Sequence, residues 1–216
     1  MVNIDEIRKH QRTFLNQVKE RKKPTIYTIK NIEIKVNPGV FPPATDTKLL
    51  AANIYAKPGE RTLDLTTGAG IFSIIAGRQG ATGIAVDINP LAVVNANENF
   101  LMHHVQMRAI QSNLFKNVPP ERFDQIYANG PFFEGTIIDP LDYACYGAKT
   151  FIEGLFKGLR SRLRKGGKLL VVMSAWSDLK HFKDTAKEHV LVTKLITTRN
   201  SDDGVRTYNL YEVSVA

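Results

Sequence analysis

The chain is poor in cysteine, with Cys145 alone among 216 residues, and it contains a single tryptophan. One cysteine excludes an internal disulfide framework and any metal site built from several thiolates. Long apolar runs are also absent: none approaches the roughly 18 residues of a membrane-spanning helix, and the first residues, MVNIDEIRKHQRTF, lack the apolar centre of a signal peptide. These absences predict a soluble, cytoplasmic protein without a membrane partner or a bound metal.

Positive charge exceeds negative charge, since 29 lysines and arginines stand against 21 aspartates and glutamates, for a formal net charge of +8. The excess is concentrated in two stretches: Arg8, Lys9, Arg12, Lys19, Arg21, Lys22 and Lys23, and then Lys157, Arg160, Arg162, Arg164, Lys165 and Lys168. Such stretches either recruit RNA or another acidic partner, or they are solvated faces of helices. The sequence leaves both interpretations open.

The N-terminal part of the chain predicts a helix followed by a β-hairpin. Apolar residues recur at helical spacing within the first twenty residues, at Ile4, Ile7, Phe14, Leu15 and Val18. Two alternating runs, TIYTIK and IEIKV, follow, and PGVFPPATDT then forms a rigid loop that ends in a capped helix start at Thr45-Asp46-Thr47. We therefore divide the chain into an N-terminal extension, residues 1–37, and a main domain, residues 38–216.

Strand and helix signals alternate through the middle of the chain. We predict strands near 62–65, 83–87, 106–111, 124–129 and 168–174, and helices near 70–78, 90–101, 146–164 and 178–188. Such alternation is typical of a parallel sheet covered by helices on both faces. Two further strand-like runs flank a turn at 200–204. The predicted fold is α/β: a Rossmann-like, doubly wound, mostly parallel sheet of seven strands with an antiparallel C-terminal strand.

The stretch RTLDLTTGAGIF, from Arg61 to Phe72, has the pattern of a strand, a glycine loop and a helix. Gly68 and Gly70 let a ligand approach the backbone without a Cβ in the way, and the first turn of a helix presents unpaired N–H groups. Glycine turns also join strands to helices in proteins that bind nothing there. On its own, the loop fits a small-molecule site and a structural turn equally well.

Polar residues follow the next two predicted strands, at the edge where doubly wound sheets bind ligands. Asp87 ends the second strand, 17 residues after Gly70, and its carboxylate can accept both hydrogen bonds of a ribose diol; alternatively, it caps the helix that starts after Asn89. Asn113 follows the third strand and fits either contact with the edge of an adenine ring or a plain loop. The glycine loop upstream favours ribose binding by Asp87.

The fourth strand ends in Asn129-Gly130-Pro131-Phe132. The side-chain oxygen of Asn129 and the backbone carbonyl of Gly130 can together accept both hydrogens of an –NH2 group, and Phe132 can stack on a planar substrate. The alternative is a polar turn that leads into two core phenylalanines, Phe132 and Phe133. The aromatic pair beside Gly-Pro favours a substrate site.

Taken together, LDLTTGAG, AVDINPLAVVNANEN, SNLF and FDQIYANGPFF resemble the class I S-adenosylmethionine-dependent methyltransferases over roughly Pro38 to Ser174. The resemblance is closest to the small methyltransferase group, which includes release-factor glutamine methyltransferases and N-methyltransferases of RNA bases. It implies S-adenosyl-L-methionine as cofactor, held by Asp64, Thr67, Gly68 and Gly70 at its methionine end, by Asp87 beside Ile88 at its ribose, and by Asn113 between Ser112 and Leu114 at its adenine. It also implies that the cofactor pocket is lined by Phe41, Asp46 and Thr47, and that the catalytic motif is Asn129, Gly130, Pro131 and Phe132.

Three residues depart from the family pattern. Thr66 replaces the first loop glycine, Asn113 replaces the usual aspartate, and Gly130 replaces the first proline of Asn-Pro-Pro-Tyr/Phe. Glycine supplies the same backbone carbonyl as proline, with more conformational freedom. The chemistry is therefore retained, whereas the substrate is left open.

We predict an enzyme that transfers a methyl group from S-adenosylmethionine to an amide or amine nitrogen of a planar acceptor, which can be an RNA base, a protein glutamine or a small molecule. The N-terminal extension is expected either to recognise the acceptor or to form a homodimer contact. Two alternatives use the same fold. A nicotinamide-dependent reductase has a similar glycine loop, although Ser73 occupies the third glycine of its G-x-G-x-x-G pattern, and a catalytically silent RNA-binding module fits the net charge and Gly130.

Overall fold

The structure is a computed structural model that describes residues 4–216. Its helices are α1 (Ile4–Glu20), α2 (Thr45–Ala52), α3 (Ile71–Arg78), α4 (Pro90–Met102), α5 (Ala148–Arg162) and α6 (Leu179–Glu188), with a 3-10 helix over Pro140–Ala144. Its strands are β1 (Thr25–Ile29), β2 (Ile32–Val36), β3 (Arg61–Asp64), β4 (Thr82–Asp87), β5 (Met107–Gln111), β6 (Phe123–Ala128), β7 (Leu163–Ser174), β8 (Leu191–Asn200) and β9 (Thr207–Val215). Within residues 4–216, no helix combines the length and the apolar character needed to cross a membrane.

Seven strands form one sheet in the order β5-β4-β3-β6-β7-β9-β8, and β1 and β2 form a separate antiparallel hairpin. The strands from β5 to β7 in that order are parallel, whereas β9 runs antiparallel to both β7 and β8. This confirms the predicted α/β fold and its antiparallel C-terminal strand. Because the chain runs from β3 to β4 on one side and returns to β6 on the other, the carboxyl ends of β3 and β6 form the switch point where such sheets bind ligands.

The apolar runs in the strands are explained by helices on both faces of the sheet. Along β7, Leu169, Val171 and Met173 belong to the core layer of α5 and α6, and Leu170 and Val172 belong to the layer of α2, α3 and α4. All five side chains are buried. A fully buried aliphatic side chain stabilises the folded state by about 1.5–3 kcal/mol. The two layers therefore fix the strands whose ends carry the loops.

The β1–β2 hairpin packs on α4. Asn99, which is fully buried, donates from Nδ2 to the carbonyls of Lys35 (2.8 Å) and Ala69 (2.8 Å) and accepts from the Lys35 N–H (3.2 Å). Asn95 donates to the same Lys35 carbonyl (2.8 Å) and accepts from the Asn37 N–H (2.9 Å). These hydrogen bonds tie the hairpin to α4 and to the loop after β3. The division of the chain at residue 37 stays a prediction.

Helix α1 packs against the segment between β6 and α5. Its Leu15 and Val18 are buried in a cluster with Ile7, Phe133, Leu141, Cys145 and Tyr146. Phe14 is 37% exposed and packs edge-on against Phe41, with ring centroids 5.6 Å apart. The predicted apolar face of this helix is thus confirmed at Ile7, Leu15 and Val18. The side chains of Ile4 and Arg8, to which the sequence also assigned roles, lie outside the described part of the chain.

Three local features differ from expectation. Strand β7 begins at Leu163 rather than near residue 168, because an irregular stretch with Gly166 at a φ of 75° lets both of its ends pair with β6. Helix α2 begins after Ala44, so Thr47 lies within its first turn, where its hydroxyl accepts from the Ala44 N–H (3.3 Å). The 3-10 helix lies where no element is predicted, and Asp139 caps it by accepting from the Leu141 N–H (2.9 Å).

Candidate active site

A cavity of about 350 Å³ opens at the carboxyl ends of β3, β4, β5 and β6. This volume lies within the range of small-molecule sites. The cavity is lined by most of the residues that the sequence singles out: Phe41, Asp46, Thr47, Thr67, Gly68, Asp87, Ile88, Ser112, Asn113, Leu114, Asn129, Gly130 and Pro131. Asp64, Gly70 and Phe132 are not among the lining residues. The fold therefore brings residues from widely separated parts of the chain to one cleft.

The shape of the loop after β3 depends on two glycines. Gly68 and Gly70 have φ angles of 52° and 92°, a region that residues with side chains rarely adopt, and a Cβ at Gly70 would lie 2.6 Å from the Phe100 ring. Asp64 lies beneath the loop, where its Oδ2 accepts from the Thr67 hydroxyl (2.9 Å). Burial raises the pKa of Asp64 to about 7. Asp64 therefore supports the loop through Oδ2, whereas its buried Oδ1 has no hydrogen-bond partner within residues 4–216, and its role in binding the cofactor stays a prediction.

Asp87, at the end of β4, is held by backbone amides. Its Oδ2 accepts from the N–H of Gly68 (2.9 Å) and its Oδ1 from the N–H of Asn89 (2.9 Å). Asn89, rather than Asp87, caps α4, because its side chain accepts from the Leu91 N–H (3.0 Å). Burial raises the pKa of Asp87, and the two amides oppose that effect. Each carboxylate oxygen keeps a free lone pair, so the group can still accept hydrogen bonds from a diol.

The segment after β5 forms a tight turn in the cavity wall. The Ser112 hydroxyl donates to the Leu114 carbonyl (2.7 Å) and accepts from the Asn117 N–H (2.9 Å). These bonds hold Leu114 at a left-handed φ of 48°, which is uncommon for a residue with a side chain. Asn113 is exposed and lines the cavity between half-buried Ile88 and Leu114. The turn thus offers a polar side chain and apolar neighbours to a planar ring.

Asn129 and Asp46 form a buried polar pair in the cavity wall. Asn129 Nδ2 donates to Asp46 Oδ2 (3.0 Å), which holds the amide with its nitrogen toward the carboxyl group and its Oδ1 turned away from that bond. Asn129 Oδ1 and Asp46 Oδ1 are both buried, and neither has a hydrogen-bond partner within residues 4–216. Burial raises the pKa of Asp46, and the hydrogen bond from Asn129 opposes that effect. Unpaired buried oxygens are costly, so this pair is suited to receive donors from a ligand.

Thr66 connects the glycine loop to the catalytic motif. Its hydroxyl accepts from the backbone N–H of Asn129 at 2.8 Å. A glycine at this position, as in the family pattern, has no side chain to make this bond. The departure at Thr66 therefore adds a tether between the two loops that meet at the switch point.

One wall of the cavity comes from a segment that the sequence reasoning missed. Between β6 and α5 the lining residues are Ile137, Pro140, Leu141, Tyr143 and Ala144, and the start of α5 adds Gly147, Thr150 and Phe151. The available signal was Asp139-Pro140, a favoured cap followed by a proline that starts helices. Phe132, which the sequence predicts to stack on the substrate, is not one of the lining residues and packs against Tyr208 with ring centroids 5.7 Å apart.

Part of the first basic stretch is bound within the protein. Arg12 and Lys19 contact the fully buried carboxylate of Asp142 at 2.9 and 3.0 Å, and Arg21 donates to the Val40 carbonyl (2.6 Å). These three cations hold α1 and its flanking loop in place. An RNA-binding surface on this stretch therefore cannot use these three side chains, because they are already bound within the protein.

Comparison with solved structures defines the class of fold. RsmC of Thermus thermophilus, a 16S rRNA methyltransferase solved with S-adenosylmethionine and guanosine, superimposes with a TM-score of 0.63 at 21% identity, over 90% of this chain and 50% of that chain. At that identity the likeness shows the fold alone. The fold is that of the Rossmann-like methyltransferases.

The sequence profile of the methyltransferase small domain matches residues 31–195, and the chain belongs to this family of S-adenosylmethionine-dependent methyltransferases. A candidate protein glutamine methyltransferase of Methanocaldococcus jannaschii is 34% identical over 158 residues, which are 69% of this chain and 80% of the relative. Ribosomal RNA small subunit methyltransferase C of Hamiltonella defensa is 30% identical over 155 residues, 69% of this chain and 43% of the relative. The chain thus spans less than half the length of the second relative.

Membership in this family confirms the predicted enzyme class and the predicted cofactor, S-adenosylmethionine. The nicotinamide-dependent reductase and the catalytically silent RNA-binding module find no support among these relatives.

Proposed function

We propose that the chain transfers a methyl group to the –NH2 nitrogen of a planar amide or aromatic amine. The observation that carries this proposal is the buried, unpartnered Oδ1 of Asn129, whose amide is held in one orientation by Asp46. With the Gly130 carbonyl beside it, this oxygen offers two acceptors to the two N–H groups of one –NH2.

The cavity residues fit S-adenosylmethionine. Asp87 retains lone pairs for a ribose diol, Asn113 and its apolar neighbours suit the adenine, and Gly68 allows close approach to the backbone. The carboxylates of Asp46 and Asp87 line the same cavity and favour a cationic ligand. When bound, this cofactor supplies an electrophilic methyl group on a positively charged sulfur.

The part of the protein is to position the acceptor nitrogen and to stabilise its charge. An amide or aryl-amine nitrogen has its lone pair delocalised into a π system, and it becomes more positive as it forms a bond to carbon. Hydrogen bonds from its N–H groups to Asn129 and to the Gly130 carbonyl strengthen as that charge grows, which lowers the barrier. Asp46, fixed next to Asn129, adds a negative charge to the same end of the cavity when it is ionised. No side chain has to remove a proton before the methyl group is transferred.

An RNA base and a protein glutamine both satisfy this geometry, and the two relatives described above are named for ribosomal RNA and for protein glutamine. We place these two acceptors ahead of a free small molecule. The wall formed by Ile137 to Ala144 is held by α1, so the N-terminal extension shapes the acceptor side of the cavity. A homodimer stays a prediction.

Two substitutions separate the acceptor role from the cofactor role. Asn129→Ala should lower kcat at least a hundredfold, about 2.7 kcal/mol, because a stabilising acceptor is lost only in the transition state, while the Kd for S-adenosylhomocysteine stays within about twofold. Asp87→Ala should weaken S-adenosylhomocysteine binding first. Label transfer from methyl-tritiated S-adenosylmethionine to bulk RNA and bulk protein gives the rates, and calorimetry gives the Kd.

Asn16→Ala is the matched control, because Asn16 is an exposed asparagine on α1. It should leave both quantities unchanged. An Asn129→Ala variant that loses cofactor affinity as strongly as turnover would contradict the assignment of Asn129 to the acceptor.

A further inference from the structure

We infer that Phe151 of α5, rather than Phe132 of the motif, is the ring on which the acceptor stacks, and that the acceptor is therefore an aromatic amine of a nucleobase. This inference rests on the proposed function and adds a substrate class to it. Its basis is the packing around Gly130, the position at which the chain departs from the family's proline.

The Phe151 ring occupies the space beside Gly130 into which a side chain would point. A Cβ at position 130 would overlap the distal edge of that ring, with Cε2 2.8 Å away and Cε1 and Cζ closer still. The φ angle of Gly130 is outside the left-handed region, so space rather than backbone conformation is what requires glycine here. A proline, with three ring carbons, would displace Phe151. The Phe151 ring thus occupies the space that the side chain of a proline at position 130 would need.

Phe151 is held in place by close packing of α5. It lies in the first turn of the helix, where its N–H donates to the Gly147 carbonyl (3.0 Å). Further along, α5 approaches the turn after β5 so closely that a Cβ at Gly154 would lie 2.7 Å from Leu114 Cδ1. The helix is therefore fixed against the cofactor side of the cavity. Phe151 itself is half-buried and lines the cavity.

Phe132 is less well placed to be the stacking face. It is not among the residues that line the cavity, and it packs against Tyr208 of β9 with 5.7 Å between ring centroids. Phe151, by contrast, touches Gly130, whose carbonyl is one of the two proposed acceptors for the –NH2 group. A planar group bound to Asn129 and Gly130 therefore lies next to the Phe151 ring.

The chemistry of the ring selects the class of acceptor. A nucleobase presents a π face to Phe151, and base–aromatic stacking contributes about 1–3 kcal/mol, which corresponds to about a 5- to 150-fold change in affinity. A glutamine side chain has only the small amide plane and gains little from an aromatic ring. We therefore choose the exocyclic amine of an RNA base over the glutamine amide.

The test begins with wild-type protein, methyl-tritiated S-adenosylmethionine, bulk RNA and bulk protein. Label in the RNA fraction is expected. We then compare Phe151→Leu, Phe151→Trp and a control, Phe115→Leu, which removes a half-buried ring that packs against Gly158 of the same helix outside the cavity. Phe151→Leu should raise the KM for RNA about 5- to 150-fold with an unchanged Kd for S-adenosylhomocysteine, Phe151→Trp should restore the KM, and Phe115→Leu should leave it unchanged.

Gly130→Ala provides a second, independent measurement. Alone, it should lower the thermal midpoint and raise the KM because it pushes the ring away, and in the Phe151→Leu background its added effect on the midpoint should disappear. An unchanged KM for RNA in Phe151→Leu, or label in the protein fraction alone, overturns the inference while leaving the methyltransferase function in place. Wild-type protein that labels neither fraction would instead contradict the proposed acceptors.

Discussion

The carboxylate of Asp142 links α1 to the acceptor wall, and replacing it with asparagine tests that link. The side chain is fully buried. Its Oδ1 accepts from Arg12 (2.9 Å) and Lys19 (3.0 Å) of α1, and its Oδ2 accepts from the N–H groups of Ile138 (2.7 Å) and Asp139 (3.3 Å). Asn has the same shape but no charge, and its amide nitrogen must face one set of donors.

The expected loss can be estimated from these contacts. Breaking a buried ion pair on one side costs about 3–5 kcal/mol, because a charge is left without a partner. Here the two cations are 31% and 28% exposed, so they can turn toward water, and asparagine keeps one accepting oxygen. We therefore expect Asp142→Asn to lower the free energy of unfolding by about 2–3 kcal/mol. For a chain of this size that corresponds to a fall of about 4–12 °C in the thermal midpoint.

The pH dependence of this loss follows from the pKa of Asp142. Burial by itself raises this pKa, but the Ile138 N–H and Lys19 outweigh burial and hold it below its usual range. Because the folded value lies below the unfolded value of about 3.9, the stabilisation is complete above pH 4 and is lost as the pH falls through the folded value. The difference in the free energy of unfolding between wild type and Asp142→Asn should therefore stay constant from pH 6 to 8 and shrink below pH 4.

Urea unfolding measures the free energy, and the KM for the labelled acceptor reports on the wall. Asp184→Asn is the matched control, because Asp184 forms an exposed i,i+4 pair with Lys180. It should change neither quantity. If Asp142→Asn unfolds at the same urea concentration as wild type, the ion pairs of α1 do not stabilise the fold, and the role assigned to α1 is wrong.

Two further predictions concern the loop after β3. Asn99→Ala should lower the free energy of unfolding by about 2–4 kcal/mol in urea titrations, because it leaves the Lys35 N–H and the Ala69 carbonyl without their partner, while Asn95 still binds the Lys35 carbonyl; a loss below 1 kcal/mol would refute this. Burial raises the pKa of Asp64 to about 7, above its unfolded value of about 3.9, so its contribution to stability is greatest below pH 4 and is lost as the pH rises through 7. In Asp64→Asn, the free energy of unfolding should therefore change less between pH 5 and 7 than it does in wild type. An equal change in both proteins would contradict the buried environment of Asp64.

The elements and the cofactor class were accessible from the sequence because they depend on local patterns. The β7 run Leu169–Ser174 predicts a strand buried on both faces, and the spacing from Gly70 to Asp87 predicts two neighbouring strands with a ligand site at their ends. The 3-10 helix over Pro140–Ala144 escaped prediction because a single turn has no periodicity of its own, and its stability comes from Asp142 and α1.

The sequence by itself determined the order of strands and helices, the glycine loop and the polar residues at the strand ends, since each follows from side-chain periodicity or from backbone conformation at one place in the chain. Only the tertiary structure decided which of these groups meet. The orientation of Asn129 depends on Asp46, 83 residues away, and the space at Gly130 depends on a ring of α5. Such contacts are set by how distant elements pack, and no local pattern encodes them.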